Sequence, residues 1–312
     1  MSAPGSTRAG FAAVIGAPNA GKSTLVNRLV GQKVSIVTQK VQTTRFPVRG
    51  VALEGSAQVV LVDTPGVFKP RRRLDRAMVR SAWAGAEDAD AVVHLVDAEA
   101  ELAEQPTSQQ RLAQDDARTI VEGLRKGGRK ALLALNKIDL VKRDTLLALS
   151  QRLFGSDAYE EVFMISAHKG SGVADLKRRL AELMPEGPWL YPEDQTADLP
   201  TRLLAAEITR EKLYLRVHEE LPYAAAVETT AFTEARGGAA RIEQTIFVER
   251  ESQRPIILGK NGQTLKWIGQ KAREELQTIL DRPVHLFLHV KVQENWAEDR
   301  AFYREGGLEF DA

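Results

Sequence analysis

Eight consecutive residues constrain this chain more than any other stretch: Gly16-Ala17-Pro18-Asn19-Ala20-Gly21-Lys22-Ser23. They read G-x-x-x-x-G-K-[ST], the pattern of a phosphate-binding loop. Apolar Phe11 to Ile15 enters the loop as a buried strand, and Thr24 to Val30 leaves it with helical spacing. Gly16 and Gly21 tolerate positive φ, which lets backbone N–H groups turn inward around an anion. The helix that follows points its positive end at the same place. Lys22 supplies a point charge for β- and γ-phosphates, and the Ser23 hydroxyl is a Mg²⁺ ligand. A Gly-rich turn could match by chance, but the strand before and the helix after supply the context the motif needs. The loop implies a nucleoside triphosphate. It does not name the base.

The chain has 312 residues, which suggests two domains. A net charge of +1, from 43 basic and 42 acidic groups, announces no nucleic-acid partner in bulk, so any basic surface must be local. There is no cysteine, which excludes disulfides and thiolate metal sites and fits a reducing cytoplasm. Met1 to Gly10 is small and polar, unlike a signal peptide, and is expected to be flexible. No apolar run approaches the ~18 residues of a membrane span.

From Phe11 to Met184, short apolar runs alternate with amphipathic stretches. Gln58 to Val62, Ala91 to Val96, Lys130 to Leu135 and Glu161 to Ile165 read as strands; Asp75 to Ala86 and Arg111 to Arg125 read as helices. The alternation predicts an α/β domain over residues 11–184 with a mostly parallel, doubly wound sheet covered on both faces. Residues 185–200 hold four prolines and several acids, the composition of a linker. A second unit is expected over residues 201–304: a helix from Leu203 to Glu219, strands Ala224 to Thr233 and Ala240 to Glu249, two short helices around a glycine pair, and a strand from Val284 to Val290. Residues 305–312 form an acidic tail with no defensible reading.

Further chemistry follows successive strands. Asp63-Thr64-Pro65-Gly66 closes the second one, where doubly wound sheets bind ligands. Asp63 is placed to hold Mg²⁺ through a water, and the Gly66 N–H to bond a γ-phosphate. By itself this is an ordinary turn; its place one strand after the phosphate loop gives it meaning. Asn136-Lys137-Ile138-Asp139 follows the next-but-one strand. Guanine presents N1–H and an amino group side by side, and one carboxylate, Asp139, can accept both. Adenine would leave that carboxylate unpaired. Lys137 can lie over the ring, Asn136 can tie this loop to the phosphate loop, and a backbone N–H at Ser166-Ala167 can bond guanine O6.

These elements resemble the GTPase fold of the translation-factor class. The resemblance assigns nucleotide contacts to Gly16, Asn19, Ala20, Gly21, Lys22, Ser23, Thr24, Asp63, Gly66, Asn136, Lys137, Asp139, Ser166 and Ala167. Gln42-Thr43-Thr44-Arg45 is similar to the first switch, with Thr44 taken as the threonine that closes on Mg²⁺ and Thr43 as the alternative. Ser23, Thr44 and Asp63 then form the metal set; Lys22, Thr44, Gly66 and Asn19 form the catalytic set. Val67 stands where many GTPases place a water-orienting glutamine. Valine cannot do that work, so the resemblance is to GTPases with a hydrophobic substitution there. Asn19 resembles the residue that holds K⁺ in cation-activated relatives; the bland reading is a loop residue bonding its own backbone.

In the second unit, Gly259-Lys260-Asn261-Gly262 is a G-x-x-G between apolar Ile256 to Leu258 and helical Gln263 to Gly269. That is where a KH fold clamps single-stranded nucleic acid. Glu249 to Arg273 holds six basic and two acidic residues, the local positive patch the whole-chain charge conceals. Gly259, Lys260, Asn261, Gly262, Lys266 and Lys271 are the candidate RNA contacts, against a solvated helix face for the lysines. Trp267 reads as core, with base stacking as the alternative. The element order is that of a smaller, α+β, type II KH domain.

A GTPase followed by such a domain resembles the Era family of bacterial GTPases. Tyr191 to Gln195, Glu219 to Tyr223, Val290 to Val292 and Trp296 to Asp299 carry the match further. Phe68, where the family usually has histidine, and Phe46-Pro47 depart from it. The resemblance implies a cytoplasmic, monomeric switch using GTP/GDP, Mg²⁺ and K⁺, which binds the 3′ end of 16S rRNA and assists maturation of the small (30S) ribosomal subunit. The alternatives are a regulatory GTPase peripheral to the inner membrane, and an RNA-binding scaffold with little GTPase activity. Intact Lys22, Ser23, Asp63 and Asp139 argue against the scaffold, and the lack of a strongly amphipathic basic helix argues against the membrane.

Overall fold

The computed structural model describes residues 6–217 and 221–312. It divides into two compact units, Met1–Asp198 with Gly307–Ala312, and Leu199–Gly306. Met1 to Gly5, and the Glu219-Glu220 pair used in the family match, lie outside the described residues.

The first unit runs β1 (Arg8–Gly16), α1 (Lys22–Val30), β2 (Val48–Glu54), β3 (Ala57–Asp63), α2 (Arg73–Asp88), β4 (Ala91–Asp97), α3 (Ala98–Glu101), α4 (Ser108–Lys126), β5 (Ala131–Asn136), α5 (Arg143–Phe154), β6 (Tyr159–Met164), α6 (Val173–Leu183) and β7 (Ala197–Asp198). The sheet order is β6-β5-β4-β1-β3-β2-β7. β1 pairs in parallel with β3 and β4, and β2 runs antiparallel between β3 and β7. Alternation along β1 serves both faces. Ala12 and Val14 pack with Leu25, Leu29, Leu176 and Leu180 on one side; Ala13 and Ile15 pack with Ala82, Ala86, Ile120 and Leu124 on the other. Each leucine, isoleucine or valine so buried contributes roughly 1.5–3 kcal/mol. This two-sided core fixes the carboxyl ends of β1, β3, β4 and β5, which carry the site.

The stretch expected as a free linker is bound to this unit instead. Pro185 O accepts from Ala9 N at 3.1 Å, Trp189 Nε1 donates to Ser56 O at 3.0 Å, and Gln58 Oε1 accepts from the N–H groups of Leu190 and Tyr191. β7 then adds to β2 at Arg49 and Gly50. Proline content alone describes a linker; the buried Gln58 amide, far away in sequence, decides otherwise. Arg8 to Gly10, expected to be flexible, are likewise strand.

The second unit runs α7 (Thr201–Arg216), β8 (Ala225–Glu234), β9 (Ala240–Val248), α8 (Arg254–Leu258), α9 (Gln263–Leu280), β10 (Val284–Val292) and α10 (Arg300–Glu305). The sheet order is β10-β9-β8, with β9 parallel to β10 and antiparallel to β8. Leu213, Ala225, Ile246, Val248, Ile257 and Ile268 form its core. α7 also buries charge: Arg210 pairs with Glu207, and Lys212 with Glu211 and Glu275. Among the described residues no helix is long and apolar enough to cross a membrane.

Candidate nucleotide site

The phosphate loop turns from β1 into α1 at Gly21, whose φ of 102° favours glycine. A Cβ at Gly21 would stand 2.4 Å from Asn136 Nδ2. Lys22 is 6% exposed, and its Nζ donates to Gly16 O at 3.0 Å and Ala17 O at 2.9 Å. Burial lowers its pKa to about 8, against the pull of Asp63 and Asp116.

Three oxygens converge beside it. Ser23 Oγ lies 2.9 Å from Thr44 Oγ1, and Thr44 Oγ1 donates to Asp63 Oδ2 at 3.4 Å. Burial raises the Asp63 pKa, while the hydroxyls of Ser23, Ser35 and Thr44 and the charge of Lys22 oppose the rise. Asp63 Oδ1 is buried with no well-formed hydrogen bond. A hard cation answers all of this: two hydroxyls and one carboxylate are oxygen ligands suited to Mg²⁺ with waters completing the shell. Of the two candidate threonines Thr44 makes this contact. Thr43 Oγ1 bonds Thr38 Oγ1 and Lys40 O instead.

The base-side loop is built around Asn136. Its Nδ2 donates to Ala20 O at 2.8 Å and its Oδ1 accepts from Ala167 N at 2.9 Å. One buried amide thus joins the phosphate loop, the N-K-x-D turn and the Ser166-Ala167 turn. Lys137 takes φ 64° and pairs with Asp97 at the end of β4. Asp139 is exposed, and the Ser166 hydroxyl bonds its carboxylate and holds its pKa below the usual range. The carboxylate therefore stays ionised, as reading two guanine donors requires. Thr24 follows Ser23 in the first turn of α1.

The segment after Asp63 lies against the loop. Val67 N donates to Gly16 O at 3.1 Å, and a Cβ on Gly66 would stand 2.9 Å from Pro18 Cγ. Val67 itself is 1% exposed and packs in the core with Ala13 and Ile15. Its side chain belongs to the fold and leaves water orientation to other groups. Asn19, at φ 62°, donates from Nδ2 to Gln39 O at 3.0 Å, which joins the phosphate loop to the segment that leads to Thr44.

In the second unit, Gly259, Asn261 and Gly262 take φ of 72°, 53° and 74°. A Cβ on Gly259 would stand 2.2 Å from Thr264 Oγ1, so that glycine is obligatory, whereas Gly262 has open space. Lys260 and Lys266 are exposed. Lys271 pairs with Glu274 one turn along α9, as a solvated helix face would. Trp267 is partly buried against the core, with the Arg216 guanidinium 5.5 Å from its ring centroid.

Residues 11–137 match a family model described as a 50S ribosome-binding GTPase, and residues 220–297 match one described as a KH domain. A GTPase Era from Caulobacter vibrioides is 70% identical over 308 residues, 98% of each chain. The chain belongs to the GTPase Era family. One from Maricaulis maris is 59% identical over 97% of this chain and 98% of its own. A crystal structure of Era in complex with MgGDPNP and nucleotides 1506-1542 of 16S ribosomal RNA is similar over 96% of this chain and 99% of that one, with a TM-score of 0.84 at 37% identity. A variant of Aquifex aeolicus Era bound to GDP.AlF4- matches with the same score and coverage. The chain is thus a GTPase that uses GTP/GDP and Mg²⁺, with a P-loop domain and a C-terminal KH domain.

One contact beside the site escapes sequence reading. Gln42, at φ 55°, donates from Nε2 to Asp75 Oδ1 at 3.0 Å, so the segment that carries Thr44 touches the first turn of α2. Asp75 Oδ2 accepts from the N–H groups of Arg71 and Arg72. An acid three residues into a helix is a capping signal, and it could have marked Asp75. Nothing local marks Gln42.

Proposed function

We propose that this protein is a cytoplasmic, monomeric GTP-driven switch that holds the 3′ end of 16S rRNA in its KH domain and assists maturation of the small ribosomal subunit. The observation that carries it is the pairing, in one chain, of a guanine-nucleotide site with a positive-φ G-x-x-G loop bearing exposed Lys260. The RNA in the related Era complex gives that loop its substrate class. In this reading Gly16, Ala20, Gly21, Lys22, Ser23 and Thr24 cradle the phosphates. Thr44 and Gly66 follow the γ-phosphate, and Asn136, Lys137, Asp139, Ser166 and Ala167 read guanine. Backbone N–H groups at Gly259 to Gly262 receive RNA phosphates, with Lys260 and Lys266 adding charge.

A 3′-end 16S oligonucleotide should bind more tightly with a non-hydrolysable GTP analogue than with GDP, measured by anisotropy across a salt titration. Equal affinities would sink the coupling of the two sites. Changing Lys260 and Asn261 together to aspartate should weaken that binding by about tenfold to a hundredfold and leave hydrolysis of GTP by the free protein unchanged.

With Val67 removed from water positioning, Asn19 becomes the group that supports a K⁺ ion at the phosphates, where a cation supplies the charge of an arginine finger. Its link to the Gln39 carbonyl places a second oxygen nearby. Hydrolysis should run about tenfold or more faster in KCl than in equimolar NaCl. Equal rates would assign Asn19 a purely structural role.

A further inference from the structure

Gly307–Ala312 belongs to the first unit and lies along α2. Arg80 Nε meets Glu309 Oε2 at 2.9 Å. The Arg73 guanidinium stands 4.4 Å from the Phe310 ring centroid and 3.9 Å from Asp311 Oδ1. Arg76 Nε donates to Ala312 O at 3.4 Å, and Leu308 is buried. Helix positions 73, 76 and 80 fall on one face. Each of these arginine contacts is weak alone; together they match two acids and an aromatic ring to Arg73 and Arg80, and a backbone carbonyl to Arg76.

The same helix reaches the phosphate site through its first turn. Asp75, 7% exposed, fixes the start of α2 and accepts from Gln42. Two residues beyond Gln42, Thr44 sits on Ser23 and Asp63. Contacts therefore run without a break from Glu309 to Arg80, along α2 to Asp75, to Gln42, and so to the segment that carries Thr44.

We propose that Gly307–Ala312 is a positioning clasp for the first switch: by holding α2 it holds Asp75 and Gln42, and so keeps Thr44 over the metal-binding oxygens, which favours the triphosphate over the diphosphate. The clasp rests on the assignment of Thr44 to the first switch, because holding Thr44 separates GTP from GDP only if Thr44 follows the γ-phosphate. Coupling of this kind is carried by contiguous packed and hydrogen-bonded groups.

The test compares affinities for a non-hydrolysable GTP analogue and for GDP, with Mg²⁺ at low salt, in the full chain. Hydrogen exchange of residues 38–45 is followed alongside. Glu309→Lys with Asp311→Lys should weaken the analogue by about threefold to tenfold, leave GDP within about twofold, and speed exchange at 38–45. Adding Arg73→Glu and Arg80→Glu should restore both readouts, and high salt should shrink the difference. A Thr44→Ala variant is run in parallel and should lower the analogue-to-GDP preference. If it does so while the reversed clasp changes neither preference nor exchange, the clasp is overturned alone. A charge swap that restores nothing also overturns it. If Thr44→Ala leaves the preference unchanged, both the switch assignment and the clasp fall.

Discussion

Lys22→Ala is expected to abolish tight binding of GTP and GDP, with a fall in affinity of about a hundredfold or more, roughly 3 kcal/mol. The ammonium is buried, and its described partners are two loop carbonyls, Gly16 O and Ala17 O. Phosphate oxygens would give it charge-assisted bonds in the same low-dielectric place. Titration calorimetry on the variant checks this, and near-native affinity would remove Lys22 from the site. The wild type supplies a second readout, because burial lowers the Lys22 pKa from 10.5 to about 8. Binding a phosphate requires the charged form. Affinity should therefore be level below pH 8 and fall by up to about tenfold per unit above it, with uptake of a proton on binding. The sign for folding is opposite. The unfolded chain binds more protons between the two values, so folding stability gains from this group as pH rises through that window. Weaker binding at pH 9 then reflects the lysine and not unfolding.

Asp139→Asn should exchange the base that is read. In the proposed reading the carboxylate accepts from two adjacent donors of guanine; an amide offers one acceptor and one donor, which suits xanthine. Guanine nucleotides should lose about a thousandfold in affinity, and xanthine nucleotides should gain a comparable preference, because a site built for particular hydrogen bonds strongly rejects a ligand that cannot make them. The substitution is isosteric, and an asparagine oxygen still accepts from the Ser166 hydroxyl that bonds Asp139 here. The melting temperature should therefore stay within about 2 °C. Competition between GTP and XTP on the variant decides the matter, and surviving guanine selectivity would overturn the base-reading role.

Much of this was legible in the sequence, for a physical reason. Phosphate cradle, aspartate turn and base-reading loop each follow a strand of the sheet, and a doubly wound sheet delivers consecutive strand ends to one edge. Local motifs therefore meet without long-range detail. The failures lie where partners are remote and weakly patterned. Val48–Glu54 is an antiparallel strand between β3 and β7 that its own sequence pattern does not announce. The proline-rich stretch after Met184 looks like a linker until Gln58 takes the N–H groups of Leu190 and Tyr191. Gln42 meeting Asp75, and Glu309 meeting Arg80, are tertiary events with no periodicity to announce them.

The amide of Asn136 has a consequence for how a nucleotide is held. Because it ties Ala20 to Ala167, the phosphate loop and the Ser166-Ala167 turn, proposed above to hold the two ends of the nucleotide, form one frame and not two independent pieces. A ligand that spans such a frame gains a chelate advantage: once one end is seated, the other faces a high effective concentration of its own site. GTP should bind far more tightly than the product of the separate affinities of tripolyphosphate and guanosine would suggest. The surplus measures how rigidly that one side chain sets the span between the two ends of the nucleotide.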